Sequence, residues 1–301
     1  MLRIEHLTKT YGEKKAVDDL SLHIEPGQIY GFIGHNGAGK TTTIKACCGI
    51  LKFDAGEIYV CGKSIKTQAL ECKRDIAYIP DNPDLYDFLS GIKYLNFIAD
   101  VYGVPADARN ERIHKYADLF ELTDDLAQPV SAYSHGMKQK LALISALIHE
   151  PKLIIMDEPF VGLDPVASHK LKTIMREHCD KGGAIFFSTH VLEVAEKLCD
   201  MVAIIKSGKL VVSGTMEERG RGFASDREAW EELKECIERT KQMHTDIEKV
   251  HKEMWSAVKD RNEDAFAALS QEFERSSRIL AEEWAQTSAL AKIAVISESN
   301  D

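Results

Sequence analysis

Short apolar runs recur along the first two hundred residues: IYGFIG at 29–34, LIIMD at 153–157, AIFFST at 184–189 and MVAIIK at 201–206. Runs this short and this continuous predict strands buried on both faces, and helical stretches lie between several of them. Strands alternating with helices predict an α/β domain with a largely parallel sheet sandwiched between helices, its chemistry on loops at strand ends. The opening differs. LRIEHLT and LSLHIE alternate apolar and polar positions on either side of a Tyr11-Gly12 turn, which predicts antiparallel strands in a small β-subdomain. Between Pro83 and Glu150 the period becomes helical, as in Ile92, Leu95, Ile98 and Ala99, with loops at 103–105 and 128–133. This predicts a helical insertion over about 84–150 that projects from the sheet.

All eight prolines lie at or before Pro165 and the last of nineteen glycines is Gly222. The loss of both structural punctuators predicts a domain boundary, with one domain over 1–218 and an all-α extension over 223–301. In that extension Trp230, Leu233, Ile237, Thr240, Met243, Ile247, Val250, Met254 and Ala257 trace one apolar helical stripe. Phe266, Leu269, Phe273, Leu280, Trp284 and Ala291 trace a second. The polar DRNED at 260–264 separates them and Asn262 can start the second helix, so a helical hairpin or coiled coil is expected. Glu235 with Arg239, Glu248 with Lys252 and Glu274 with Arg278 have the favourable order on an exposed face, each pair contributing about 0.2–0.5 kcal/mol. The hairpin could pack on itself or on the first domain, self-associate, or capture a protein partner.

Charge changes the picture. The chain carries 38 basic and 48 acidic side chains, a net charge of −10, and its extension is itself acidic. A field of that sign repels phosphate backbones, so no nucleic-acid partner is expected. No run approaches the roughly 18 apolar residues of a membrane span, and the opening residues lack the apolar stretch of a signal peptide. The expectation is a cytosolic chain unless a partner holds it at a membrane. Seven cysteines without a C-x-x-C spacing suit reduced thiols rather than zinc or disulfides.

The strongest chemical signal is Gly34-His35-Asn36-Gly37-Ala38-Gly39-Lys40-Thr41-Thr42, a G-x-x-x-x-G-K-[ST] match between an apolar strand and a helical stretch, TTIKACCGIL. Glycines let successive N–H groups point inward, and the helix N-terminus adds partial positive charge where phosphates sit. Lys40 is expected to neutralise the β- and γ-phosphates of a nucleotide and Thr41 to hold Mg²⁺. More than a hundred residues on, LIIMD ends in Asp157 followed by Glu158. Asp157 is placed to support Mg²⁺, and Glu158 to orient or deprotonate the attacking water.

A further piece discriminates among phosphate-loop proteins. Tyr133-Ser134-His135-Gly136-Met137, followed by KQKLALISALI, resembles the signature LSGGQ and its helix in ATP-binding cassette (ABC) transporter subunits. The resemblance covers about residues 2–218. It implies a P-loop NTPase fold of the ABC ATPase type, with an antiparallel β-subdomain and a helical subdomain. It also implies that two cassettes pack head to tail, a homodimer or a pair with a paralogue, with Ser134 and Gly136 of one closing over the γ-phosphate held by the other. Tyr11 is similar to the aromatic that stacks on adenine, although a half-buried strand-end tyrosine fits as well. Gly162-Leu163-Asp164 resembles the loop linking the two sites, while Asp164 before Pro165 could equally cap the next helix. His190, after AIFFST, resembles the switch histidine that contacts the γ-phosphate.

Two departures from the family pattern stand out. Tyr78-Ile79-Pro80-Asp81-Asn82 has Asp81 where the family usually has a glutamine reaching Mg²⁺ and the attacking water; a carboxylate can ligate the metal but cannot donate a hydrogen bond while ionised. The signature has His135 and Met137 in place of glycine and glutamine. YSHGMKQKL and PDNPDLYDFLSG together resemble cassettes of the ABC-2 type, which are exporters. The function this implies is that of a peripheral ATPase at the cytoplasmic face of the membrane, dimerising around two MgATP to drive a separate membrane-spanning permease. The alternative is a soluble ABC ATPase whose C-terminal helices bind and regulate a cytosolic protein. The two differ in whether a groove between Asp81 and the helical insertion receives a permease helix.

Overall fold

The computed structural model of the protein describes residues 1–215 continuously and, beyond them, residues 239, 242, 245–247, 249–254, 256 and 268–279. Two compact units divide the chain, Met1–Met216 and Glu217–Asp301.

In the first unit, the alternating opening forms β1 (Leu2–Tyr11) and β2 (Lys14–Ile24), an antiparallel pair in which Leu2 faces Ile24 and Ile4 faces Leu22. All four are buried. The chain reverses at Gly12, whose φ of 57° suits a residue without Cβ. β4 (Ala55–Val60) and β5 (Lys63–Ser64) complete a four-stranded sheet of order β2-β1-β4-β5.

The second sheet has the order β10-β9-β3-β8-β7-β6. β3 (Ile29–Ile33), β6 (Ile76–Ile79), β7 (Leu153–Asp157), β8 (Ala184–Thr189) and β9 (Met201–Lys206) run parallel, and β10 (Lys209–Thr215) closes the edge antiparallel. Every residue of β3, β7 and β8 is buried, although helices alone do not sandwich the sheet as expected. Tyr30, Phe32, Ile155 and Phe186 on one face share a core with Leu2 and Ile4 of the antiparallel sheet and with Ile44, and helices cover the other face. Register decides where the chemistry goes. Ile33 lies opposite Thr189, and Asp157 opposite Ser188, so the three central strands end level and their following loops share one edge.

α1 (Lys40–Cys47) follows β3. It stops earlier than the apolar run to Leu51 suggests, because Gly49 takes φ 63° and Ile50 and Leu51 N–H turn back to the Lys45 carbonyl. This is a glycine-terminated helix end. α2 (Ala69–Asp75) leads into β6, and the helical region holds α3 (Gly91–Val101), α4 (Ala106–Leu119) and α5 (His135–Leu147). Residues 141–147 of α5 are buried on every side. α6 (Pro165–Asp180) and α7 (Leu192–Leu198) complete the unit.

His149, just past α5, ties the helical region to the sheet edge. Its Nε2 lies 3.1 Å from the Ile76 carbonyl and its ring stacks on Tyr102 at 3.7 Å. Burial lowers its pKa to about 4, reinforced by the Arg112 charge and opposed by the Ile76 hydrogen bond. The folded value lies below the unfolded one, so the unfolded chain takes up the proton first and stability falls between about pH 6.5 and pH 4. Urea unfolding should show wild type losing about 2 kcal/mol more than His149→Phe between pH 7 and 4.5. Equal losses would contradict a buried neutral imidazole.

In the second unit, the described residues at 245–254 and 268–279 are helical. Ile247, Val250 and Met254 are the least exposed positions of the former, and the rings of His251 and Phe273 lie 5.9 Å apart. Of the stripe residues, Trp230, Leu233, Ile237, Thr240, Met243, Ala257, Phe266, Leu280, Trp284 and Ala291 lie outside the described residues, as does 260–264. No described helix is long and apolar enough to cross a membrane.

Candidate active site

The loop after β3 curls because its glycines permit what side chains would forbid. A methyl group built on Gly34 would lie 2.6 Å from the Ile205 carbonyl; one on Gly39, at φ 110°, would lie 2.4 Å from the Ala16 carbonyl. Packing against both β-layers therefore sets the curvature. Lys40, the first residue of α1, is 6% exposed and folds back over the loop, donating to the Gly34 carbonyl at 2.5 Å and the His35 carbonyl at 3.2 Å. Its Nζ also lies 3.5 Å from Glu158 Oε1. Burial pushes the ammonium below the ordinary lysine value, opposed by the carboxylates of Glu158 and Asp157.

Asp157 ends β7 and is 3% exposed. The Ser188 hydroxyl, one strand over, donates to Asp157 Oδ1 at 2.5 Å and accepts the Glu158 N–H at 3.0 Å. One hydroxyl thus orients both acids. Glu158 has φ 47°, a backbone state that side chains disfavour and that turns its carboxylate out of the strand. His190 Nδ1 sits 2.9 Å from Glu158 Oε2. Burial acts to raise the Glu158 carboxyl, but the His190 hydrogen bond and the His190 and Lys40 charges outweigh it and hold it below the usual range. Glu158 Oε1 is buried without a hydrogen-bond partner.

These groups open on a cavity of about 430 Å³ lined by Tyr11, Lys14, Ala16, His35, Asn36, Gly37, Gly39, Lys40, Thr41, Thr42, Asp81, Asp157 and Glu158. Tyr11 is half exposed at the end of β1, with Lys9 Nζ 5.3 Å from its ring centre. Gly34, Ala38, Ser134, Gly136, Asp164 and His190 are not part of the cavity wall. Ser134 caps α5 by accepting the Met137 N–H at 3.2 Å. Asp164 caps α6 by accepting the Ala167 N–H at 2.7 Å and pairs with Lys140 at 2.9 Å, so of its two sequence readings the cap is present within the chain.

The donor set suits a magnesium nucleotide. Thr41, Asp81 and Asp157 present hard oxygen donors to one cavity, and among the described residues no group of three or more His, Cys, Asp or Glu forms a closed metal cage. Mg²⁺ is commonly held in this way, by one or two carboxylates with phosphates and water completing its shell. Two wall residues, Lys14 and Ala16, and the orienting Ser188 escaped the sequence reading. Lys14 could have been found as the hairpin partner of Tyr11, whereas Ser188 carried no local signal, since only the register of β7 and β8 sets it opposite Asp157.

A glycine-curled loop between β3 and α1, with a buried lysine and two acids at the adjoining strand end, defines a P-loop ATPase. A family profile described as "ABC transporter" matches residues 17–161. The ABC transporter ATP-binding protein YhcH of Bacillus subtilis (strain 168) is 39% identical over 70% of this chain and 68% of its own length. EcsA of the same organism, an ABC-type transporter ATP-binding protein, is 34% identical over 77% of this chain and 94% of its own. A solved "ATP binding subunit of ABC transporter" superposes with a TM-score of 0.71 at 35% identity, covering 74% of this chain and 93% of that one. A dimeric ATP-binding cassette in a post-hydrolysis state with ADP and Pi shares the fold, with a TM-score of 0.66 at 22% identity over 72% of this chain and 99% of that one. The chain belongs to the ATP-binding subunits of ABC transporters, and it is an ATPase.

Proposed function

We propose that this subunit belongs to the ABC-2 type and powers export by a separate membrane-spanning permease from the cytoplasmic face. The observation that carries the hydrolytic part is the convergence of Lys40, Asp157, Glu158 and His190 at one sheet edge. In this reading the loop from Gly34 to Thr42 binds the phosphates and Tyr11 stacks on adenine. Thr41, Asp157 and Asp81 hold Mg²⁺, which neutralises the developing phosphate charge when bound. Glu158 accepts the proton of the attacking water, and His190 fixes that carboxylate and reaches toward the γ-phosphate. Ser134 and Gly136, away from the cavity of their own chain, close the site of a second copy or a paralogue, with Asp164 in the loop between the two sites. The C-terminal helices form a hairpin that packs or takes a protein partner.

The permease reading draws support from an exposed aromatic cluster on the helical region. Phe88 is 82% exposed, Tyr86 and Phe97 about half exposed, and Tyr86 meets both rings at 5.6–5.8 Å. Contiguous exposed aromatics mark contact surfaces. Capture from detergent-solubilised host membranes tests the reading, using the Glu158→Gln chain, a version ending at Glu218, and one carrying Phe88→Asp. A multispan protein should come down with the first two and be lost with the third. Recovery only when the tail is present would place docking on the extension, and cytosolic proteins alone would overturn the transporter reading.

A further inference from the structure

The signature turn departs from the family pattern at His135, and the position of its ring gives that departure a consequence. Gly162 has φ 80°, and a methyl group built on it would lie 2.5 Å from His135 Cδ2 and 2.7 Å from Nε2. A methyl group on Gly136 would come within 3.0 Å of the Gly162 carbonyl. The first turn of α5 and the backbone at Gly162 are therefore in direct contact, with the imidazole filling the space a glycine at 135 would leave open. One turn further along α5, Lys140 pairs with Asp164 at 2.9 Å.

Gly162 is four residues from Glu158, and the segment between them is a closed turn. Val161 N–H donates to the Glu158 carbonyl at 3.1 Å, Leu163 N–H to the Phe160 carbonyl at 3.4 Å, and Asp164 is held as the cap of α6. A short segment pinned at both ends transmits displacement instead of absorbing it.

We propose that His135 is a positioning residue whose ring, seated on Gly162, makes the signature turn and the loop carrying Glu158 move as one body, so that closure of one ATP site sets the hydrolytic carboxylate of the other. The inference rests on the reading in which Ser134 and Gly136 close the partner copy's site. His135 is exposed and the α5 cap is made by Ser134, so the ring is not needed to start the helix.

The complete chain carrying His135→Ala tests it against His135→Phe, which keeps a ring over Gly162 without its nitrogens. Removing the ring should lower kcat by about tenfold to a hundredfold, the scale of an ångström misplacement at a reacting centre. The dissociation constant of ATP for the single chain and the thermal midpoint should stay at their wild-type values, and His135→Phe should recover most of the rate. Wild-type kcat in His135→Ala overturns the proposal, as do equal losses in both variants, which would assign the role to the imidazole nitrogens. Ser134→Arg in a Glu158→Gln background separates the underlying reading. Blocked ATP-driven dimerisation supports it, whereas dimers that still form overturn it and the inference together.

Discussion

Glu158→Gln is expected to bind ATP, hydrolyse it at least about a hundredfold more slowly than wild type, and accumulate as an ATP-bound dimer. General-base catalysis contributes roughly 10²–10⁴-fold, and an amide cannot take the proton. The side chain keeps its shape, so the contact with His190 Nδ1 at 2.9 Å and the backbone bond to Ser188 can persist. What changes is charge. The carboxylate held below its usual range by His190 and Lys40 is replaced by a neutral group, and Lys40 keeps its bonds to the Gly34 and His35 carbonyls. Binding should survive because the loop backbone and Lys40 are both kept, whereas turnover should not. Phosphate release, with light scattering on a size-exclusion column in ATP, reads both. Full turnover in this variant would sink the assigned base role.

Lys40→Ala should lose nucleotide binding itself, with an ATP dissociation constant at least about a hundredfold higher, which corresponds to about 2.7 kcal/mol. A buried ammonium has few solvent partners to give up when it meets phosphate, and charge-assisted bonds of this kind contribute about 1.5–3 kcal/mol each. The substitution also strips the loop of an internal strut, since Nζ ties the Gly34 and His35 carbonyls to the first turn of α1. Removal of that charge further leaves Glu158 Oε1, already without a hydrogen bond, facing no lysine. Calorimetric titration with ATP measures the loss. Tight binding by the variant would undo the phosphate-loop assignment.

The two variants separate roles that the sequence assigned with unequal directness. Lys40 and the glycines before it carry their function locally: strand, loop and helix are contiguous, and G-x-x-x-x-G-K-[ST] is a statement about one turn of backbone. The buried strands were legible for a similar reason, as runs such as LIIMD and AIFFST have no polar face to give to water. The opening hairpin followed from its alternation and α3 from its apolar period, while α5 was implied by the resemblance of its sequence to the signature helix. Its last two turns are buried all round, however, and an amphipathic stripe does not by itself predict that.

Ser188, His149 and His135 could not be read in the same way. Each acts on a partner tens of residues away: Ser188 on Asp157 across the register of β7 and β8, His149 on the carbonyl of Ile76, and His135 on the bare backbone of Gly162. Asp164 shows the converse case. Its local pattern, an acid before proline, allowed two roles; the structure shows the cap, a 2.7 Å bond from the Ala167 N–H, and the role between two sites belongs to the proposed dimer.

What the sequence by itself determined is the set of local conformations and the inventory of chemistry: which segments bury, which curl around phosphate, and which acids end a strand. Only the tertiary structure decided which of those groups meet. Parallel strand register brings the ends of β3, β7 and β8 level, and the left-handed backbone at Glu158 aims its carboxylate at Lys40 and His190. The physical reason is range. Propensity and periodicity act over a few residues, whereas a catalytic distance of about 3 Å is set by the packing of whole layers.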